Sequence, residues 1–148
     1  VMVIHENRGL NAHIEDVARR VALAGFIAFA PDFLGSQGGT PANPDQAREM
    51  IGKLDLGATV AEAVEVVRLL ATVPGSNGKV GAVGFCWGGA MINRVAVAAG
   101  PALAAAASYY GPAPAPSEAA KLSARTIVHL AGNDARVNAT LPAADSTL

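Results

Sequence analysis

Cysteine is nearly absent from this sequence, because Cys86 is the only one among its 148 residues. A single cysteine excludes an internal disulfide and a metal site built from several thiolates. The three histidines, His5, His13 and His129, do not show the spacing of two metal ligands on one helix face. We therefore expect neither a bound metal nor a cofactor.

Charge is also scarce, since only 16% of the residues are charged and the net charge is −1. Acidic and basic residues are interspersed, which does not support a nucleic-acid-binding surface. Long apolar runs are missing as well. The most apolar window, residues 95–115, is interrupted by Gly100, Pro101 and Gly111, so we expect no membrane-spanning helix.

Both ends of the sequence fall within regular patterns. Val1 lies in an apolar run with no initiator methionine, and residues 141–148 end within what we interpret as the beginning of another helix. Half of the residues are apolar, enough for one domain with a core. We expect a single domain over 1–148, truncated at both ends and lacking its first strands and a C-terminal helix and strand. We expect a cytoplasmic protein, or a periplasmic one if a signal peptide precedes residue 1.

Short apolar runs alternate with segments of helical periodicity along the chain. Asn11, Asn43 and Ser117 stand where helix N-caps are expected, and Gly25 where a helix ends. This alternation predicts an α/β fold, with a mostly parallel sheet and helices on both faces. The predicted strands cover 1–4, 26–30, 79–85, 104–110 and 126–130; the predicted helices cover 12–24, 45–53, 60–71, 90–97 and 117–121, and another begins near 141.

The sequence Gly84-Phe85-Cys86-Trp87-Gly88-Gly89 joins a valine-rich strand to a helix. This pattern is typical of the nucleophile elbow of α/β-hydrolases, with cysteine at the position of the usual serine. Side chains at Gly84 or Gly88 would collide where strand and helix approach. The alternative is a buried structural cysteine in a glycine-rich turn. The glycine context favours a nucleophile.

Polar side chains follow several of the predicted strands. Because parallel strands end at the same edge of a sheet, we expect these residues to gather into one site there. They are Glu6, Asn7, Arg8, Asp32, Cys86, Tyr109, Tyr110 and Asp134.

A thiol needs a base to become an effective nucleophile, and in this fold an acid and then a histidine follow it in the chain. Asp134 is the expected acid, or else a turn aspartate that caps the next segment. No histidine follows Asp134. His5 is interpreted as a strand terminus, His13 as solvated and His129 as a core residue, so we expect the base in a C-terminal portion outside these 148 residues.

Glu6 follows the first predicted strand, where an α/β-hydrolase places its second oxyanion donor. The N–H groups of Asn7 and Trp87 are therefore the expected oxyanion hole. Glu6 either acts on the Cys86 thiol or is a loop carboxylate paired with Arg8. Arg8 itself binds an acidic group of the substrate or forms a salt bridge with Glu6 or Asp134.

Together these residues resemble the dienelactone hydrolase family, the carboxymethylenebutenolidases, over nearly the whole chain. Five stretches carry the resemblance: I-H-E-N-R-G-L-N-x-H-I-E-D-V-A-R-R at 4–20, A-G-F-I-A-F-A-P-D at 24–32, N-G-K-V-G-A-V-G-F-C-W-G-G at 77–89, Y-Y-G at 109–111 and A-G-N-D-A-R-V-N at 131–138.

The resemblance implies a hydrolase that opens lactones or small esters through an acyl-enzyme, with a cysteine, a histidine and an aspartate. Cys86 would attack the carbonyl, Asp134 would orient the histidine, and Glu6 would take part in forming the thiolate. Tyr110 and Arg8 are the candidate substrate-binding residues. No metal or cofactor is implied.

Two features depart from the family pattern. The histidine is missing from these 148 residues, so we expect the segment alone to be inactive. The loop at 33–39 contains no arginine for a substrate carboxylate, which leaves the identity of the lactone or ester open. The alternative function is a non-catalytic binding or scaffold protein that keeps the fold without the base.

Overall fold

Four parallel strands form the centre of the structure, a computed structural model that describes residues 1–141. The predicted helix near 141–148 falls almost entirely outside the described residues. The strands are β1 (Met2–Ile4), β2 (Val80–Phe85), β3 (Leu103–Tyr109) and β4 (Arg125–His129). The α-helices are α1 (Ala12–Leu23), α2 (Pro44–Gly52), α3 (Leu56–Thr72), α4 (Trp87–Ala99), α5 (Pro116–Ala119) and α6 (Ala135–Asn138).

The strands lie in the order β1-β2-β3-β4, each paired in parallel with the next. Parallel neighbours need crossover connections, and α4 supplies the one between β2 and β3. The predicted α/β architecture with a parallel sheet is confirmed. All four strands end at the same edge, where Glu6, Cys86 and Tyr110 follow β1, β2 and β3.

Helices lie on both faces of the sheet, as predicted. On one face α3 and α4 enclose the main core, in which Ala82, Ile92 and Ala106 are almost fully buried. On the other face α1 covers only the β1 side. The rest of that face is an open apolar groove between α1 and β4, and Ile127 in it is 53% exposed.

Local capping follows the sequence at two helices. Asn11 Oδ1 accepts a hydrogen bond from Ile14 N–H at 3.1 Å, and Asn43 Oδ1 accepts from Asp45 N–H at 2.9 Å. These side chains satisfy N–H groups that have no carbonyl one turn before them. The predicted cap at Ser117 is wrong, because α5 begins one residue earlier at Pro116 with Ala115 at the N-cap.

The predicted strand at 26–30 is wrong as a regular strand. Only Phe29 pairs with β1, through Val3 N–H to Phe29 O at 2.8 Å and Phe29 N–H to Val1 O at 3.0 Å. The segment has the three-residue β1 as its neighbour, and Phe26 and Ile27 are more than 40% exposed. This apolar run therefore has too few partners for a regular ladder.

The elbow helix also begins earlier than predicted, at Trp87 instead of Ala90. Gly88 and Gly89 are part of its first turn, and glycine there allows close packing. A Cβ on Gly88 would lie 2.5 Å from the carbonyl oxygens of Ile4 and His5, and a Cβ on Gly89 would lie 2.5 Å from that of Tyr109. The first turn of α4 therefore packs directly against the backbone at the carboxyl ends of β1 and β3.

We expect Gly88→Ala to destabilise the protein by about 1–3 kcal/mol, because the new methyl group must displace backbone atoms. Gly52→Ala is the matched control, since Gly52 is also helical and, apart from its chain neighbours and its own helix backbone, no atom lies within 4 Å of the place that its new methyl group would take. It should be neutral or stabilising by up to about 1 kcal/mol. Urea unfolding of both variants measures the difference, and equal stabilities would contradict the packing described for α4.

Candidate active site

Cys86 occupies a strained position between β2 and α4. Its φ is 54° and its ψ −115°, a backbone conformation that costs a non-glycine residue about 1–3 kcal/mol. Its N–H donates to Tyr109 O at 3.0 Å, and its carbonyl accepts from Ala90 N–H at 3.0 Å. These backbone contacts hold the strained turn, and the cysteine remains partly exposed beyond the end of β2.

Trp87 is the first residue of α4. Its N–H belongs to the first turn of a helix and has no intrahelical acceptor. It lies one residue beyond Cys86, so it is available to an oxygen atom bound next to the thiol. This is the position in which an elbow places its first oxyanion donor.

Glu6 and Tyr110 meet at the same edge of the sheet. The Tyr110 hydroxyl donates to Glu6 Oε1 at 3.2 Å, although 104 residues separate the two in the sequence. Burial, the nearby Glu6 carboxylate and the negative charge of the Cys86 thiolate raise the pKa of Tyr110 to about 12. Tyr110 therefore stays protonated at neutral pH and can serve only as a hydrogen-bond donor to this carboxylate.

Tyr110 is also the second non-glycine residue with a positive φ, 41°. Its N–H donates to His129 O at 2.8 Å, which anchors the turn after β3 to β4. Gly111 follows directly, and a Cβ there would collide with the backbone of Gly89 and Ala90. The strained turn directs the tyrosine ring toward Glu6.

His5 is fully buried and uses both ring nitrogens in structural hydrogen bonds. Nδ1 lies 2.8 Å from Glu6 O, to which it donates, and Nε2 accepts from Phe33 N–H at 3.3 Å. Burial lowers the pKa of His5, although Asp32 and the hydrogen bond to Glu6 oppose this. A neutral imidazole with both nitrogens occupied is not placed to act as a base for Cys86.

The other two histidines lie against aromatic rings. His129 stacks on Tyr109 with ring centroids 4.2 Å apart, and the exposed His13 lies 6.4 Å from the Phe85 ring. The prediction that His129 is a core residue is wrong, because it is only half-buried at the end of β4. Within residues 1–141, no hydrogen bond connects a histidine to Cys86 or Asp134.

Asp134 caps α6, the short helix after β4. Its Oδ1 accepts from Val137 N–H at 3.0 Å, which is the alternative role expected for a turn aspartate. A carboxylate has further acceptor sites, so the cap is compatible with holding a histidine through the other oxygen. The catalytic role of Asp134 stays a prediction.

Arg8 forms an ion pair with Asp45 at 2.8 Å, at the start of α2. The predicted salt bridge of Arg8 with Glu6 or Asp134 is wrong, because its guanidinium pairs with Asp45. Among the described residues, Asp32 forms its hydrogen bonds with the neighbouring loop and not with the Cys86 thiol. Its carboxylate accepts from Thr40 N–H at 2.7 Å and from Thr40 Oγ1–H at 2.9 Å.

In the part of the chain that the structure describes, no three side chains of histidine, cysteine, aspartate or glutamate are grouped as metal ligands. Over the same residues, no helix combines the length and the apolar character needed to cross a membrane.

A parallel sheet, a strained turn at Cys86 between strand and helix, and a polar cluster at the carboxyl edge together define an α/β-hydrolase-fold protein. Comparison with known proteins narrows this class. The family model described as "Dienelactone hydrolase family" matches residues 1–146. The chain belongs to the dienelactone hydrolase family.

Individual relatives agree with this assignment. A candidate carboxymethylenebutenolidase of Methylorubrum extorquens is 35% identical over 121 residues, which cover 75% of this chain and 39% of that protein. The candidate hydrolase fragment YghX of Escherichia coli K12 is 64% identical over 55 residues, 37% of this chain and 47% of that one. The chain thus spans less than half the length of these curated relatives.

Solved structures show the same fold. A candidate dienelactone hydrolase from Klebsiella pneumoniae superposes with a TM-score of 0.82 at 26% identity, over 99% of this chain and 67% of that chain. A dienelactone hydrolase-like promiscuous phosphotriesterase from metagenomic libraries, P91, gives a TM-score of 0.69 at 25% identity, over 99% and 62%.

Buried His5 should make stability depend on pH. Its folded-state pKa lies below the value of about 6.5 expected in the unfolded chain. Below pH 6.5 the unfolded state therefore binds more protons, and stability falls as the pH decreases toward the folded-state pKa. Between pH 7.5 and pH 5.5, the free energy of unfolding measured in urea should decrease more for the wild type than for His5→Asn. An equal loss in both proteins would contradict this assignment.

Proposed function

We propose that the protein hydrolyses lactones or small carboxylic esters, with Cys86 as the nucleophile and an acyl-enzyme as the intermediate. The observation that carries the proposal is the strained turn at Cys86, with φ 54°, directly before the N-terminus of α4. A structural cysteine needs no such turn, whereas an elbow uses it to expose a nucleophile.

In the proposed first step, Cys86 Sγ attacks the ester carbonyl carbon, and the thiol proton leaves for a base. The carbonyl oxygen becomes an oxyanion that the N–H groups of Trp87 and Asn7 stabilise. When the tetrahedral intermediate collapses, the C–O bond to the alcohol breaks and the alkoxide takes a proton. Water then hydrolyses the thioester and restores the thiol.

Glu6 is the proposed group that assists the resting thiol. Its carboxylate accepts a hydrogen bond from the Tyr110 hydroxyl, at the edge of the sheet where Cys86 also lies. In the proposal, Glu6 takes the thiol proton when a bound substrate displaces the carboxylate from its resting position. Asp134 is the proposed acid for a histidine that lies outside the described residues.

Substrate binding is proposed to involve Tyr110 and Arg8. Arg8 is about one-third exposed and its ion pair with Asp45 lies at the surface. Such pairs contribute only about 0–1 kcal/mol, so a substrate carboxylate could replace Asp45 as the partner. Neutral esters need no such exchange and are the first substrates to test.

The acyl-enzyme can be trapped on the natural full-length protein. Incubation with p-nitrophenyl acetate followed by acid quenching should leave one acetyl group on the peptide that contains Cys86, detected by mass spectrometry. Cys86→Ala should abolish both the adduct and ester turnover. Ester turnover that is unchanged in Cys86→Ala would contradict the proposal, and the absence of turnover in the wild type would favour the non-catalytic binding protein.

Residues 1–148 expressed alone should turn over p-nitrophenyl acetate far more slowly than the natural full-length protein. The reason is that none of the three histidines in this segment is hydrogen-bonded to Cys86 in the described residues, and loss of the base costs on the order of 10³-fold or more in related triads. Parallel assays at equal thiol concentration measure the ratio. A ratio near one would show that a group within the segment supplies the base.

A further inference from the structure

The peptide group between Glu6 and Asn7 is held by two hydrogen bonds to its carbonyl oxygen. His5 Nδ1 lies 2.8 Å from Glu6 O, and Gly9 N–H donates to the same oxygen at 3.3 Å. In a planar trans peptide, the C=O and the following N–H point in opposite directions. The two donors on Glu6 O therefore fix the direction of the Asn7 N–H.

The imidazole of His5 is itself held firmly. It is fully buried, and Phe33 N–H donates to its Nε2 at 3.3 Å. That bond requires Nε2 to be unprotonated, so the proton of the neutral ring resides on Nδ1 and points at Glu6 O. Asp32 secures the segment behind Phe33, since its Oδ1 accepts from Leu34 N–H at 3.0 Å.

The same ring contacts the residue that carries the other expected oxyanion donor. His5 and Trp87 stack with centroids 5.3 Å apart and an interplanar angle of 10°. The Phe33 ring packs edge-on against both His5 and Trp87, with centroid distances of 5.5 and 6.0 Å. One buried side chain thus lies against both segments that would form the oxyanion hole.

From this geometry we propose that His5 is a positioning residue that aims the Asn7 N–H at the oxyanion. The inference rests on the proposed function, because it assigns a task within that reaction. His5 touches no reacting atom and takes no proton; it acts through the Glu6–Asn7 peptide. Removal of one oxyanion donor costs about 10²–10³ in kcat, so a misdirected donor should cost about 10–100-fold.

Two substitutions separate the two hydrogen bonds of the ring. His5→Asn can place an amide N–H near the position of Nδ1 and keep the bond to Glu6 O. His5→Gln can place its amide oxygen near Nε2 and keep the bond from Phe33 N–H, without the donor to Glu6 O. Both variants lose the stacking on Trp87, so each is the stability control for the other.

We expect His5→Gln in the natural full-length protein to lower kcat for a p-nitrophenyl ester about 10–100-fold with little change in KM. His5→Asn should restore kcat to within several-fold of the wild type, at a similar midpoint of thermal unfolding. Equal kcat values in the two variants would overturn the proposal. Full loss of kcat in a folded His5→Asn would also overturn it, since that outcome indicates a base.

A measurement on the wild type covers the case in which a variant does not fold. Nitrogen-15 NMR of the His5 ring should show the proton on Nδ1 at neutral pH, and a proton on Nε2 would overturn the proposal. The Cys86→Ala control is measured first. If the wild type shows no Cys86-dependent turnover, the proposed function itself fails, and the result is distinct from a failure confined to His5.

Discussion

The contact between the backbone after β1 and the first turn of α4 is the constraint on which the rest of the structure depends. Gly88 lies so close to the carbonyl oxygens of Ile4 and His5 that any side chain there would displace main-chain atoms. This approach brings Cys86 beside the loop that carries Glu6. It also fixes the N-terminus of α4, where the first N–H groups have no intrahelical acceptor.

Two separate sets of hydrogen bonds hold Glu6 in the loop that this contact brings beside Cys86. Tyr110 holds the Glu6 carboxylate from one side, and its own strained backbone is fixed by the bond to His129 O. His5 Nδ1 donates a hydrogen bond to the main-chain carbonyl oxygen of Glu6. The side chain and the main chain of Glu6 are thus held by separate hydrogen bonds, which together fix the conformation of this loop.

Sequence patterns predicted those features whose causes are local. The caps at Asn11 and Asn43, the elbow around Cys86 and the strand–helix alternation all depend on neighbours within a few residues. The strand at 26–30 failed because a regular ladder needs partners along its whole length, and here only Phe29 is paired. Whether such partners exist depends on the lengths of other strands.

The sequence by itself determined the fold class and the glycine-rich turn between strand and helix at Cys86, since periodicity and glycine spacing encode them directly. Only the tertiary structure decided which of those residues meet. Glu6 joined Tyr110 across 104 positions, and Arg8 joined Asp45 across 37. Such partners are chosen by how strands and helices pack, and the packing of distant segments leaves no spacing signal in the chain.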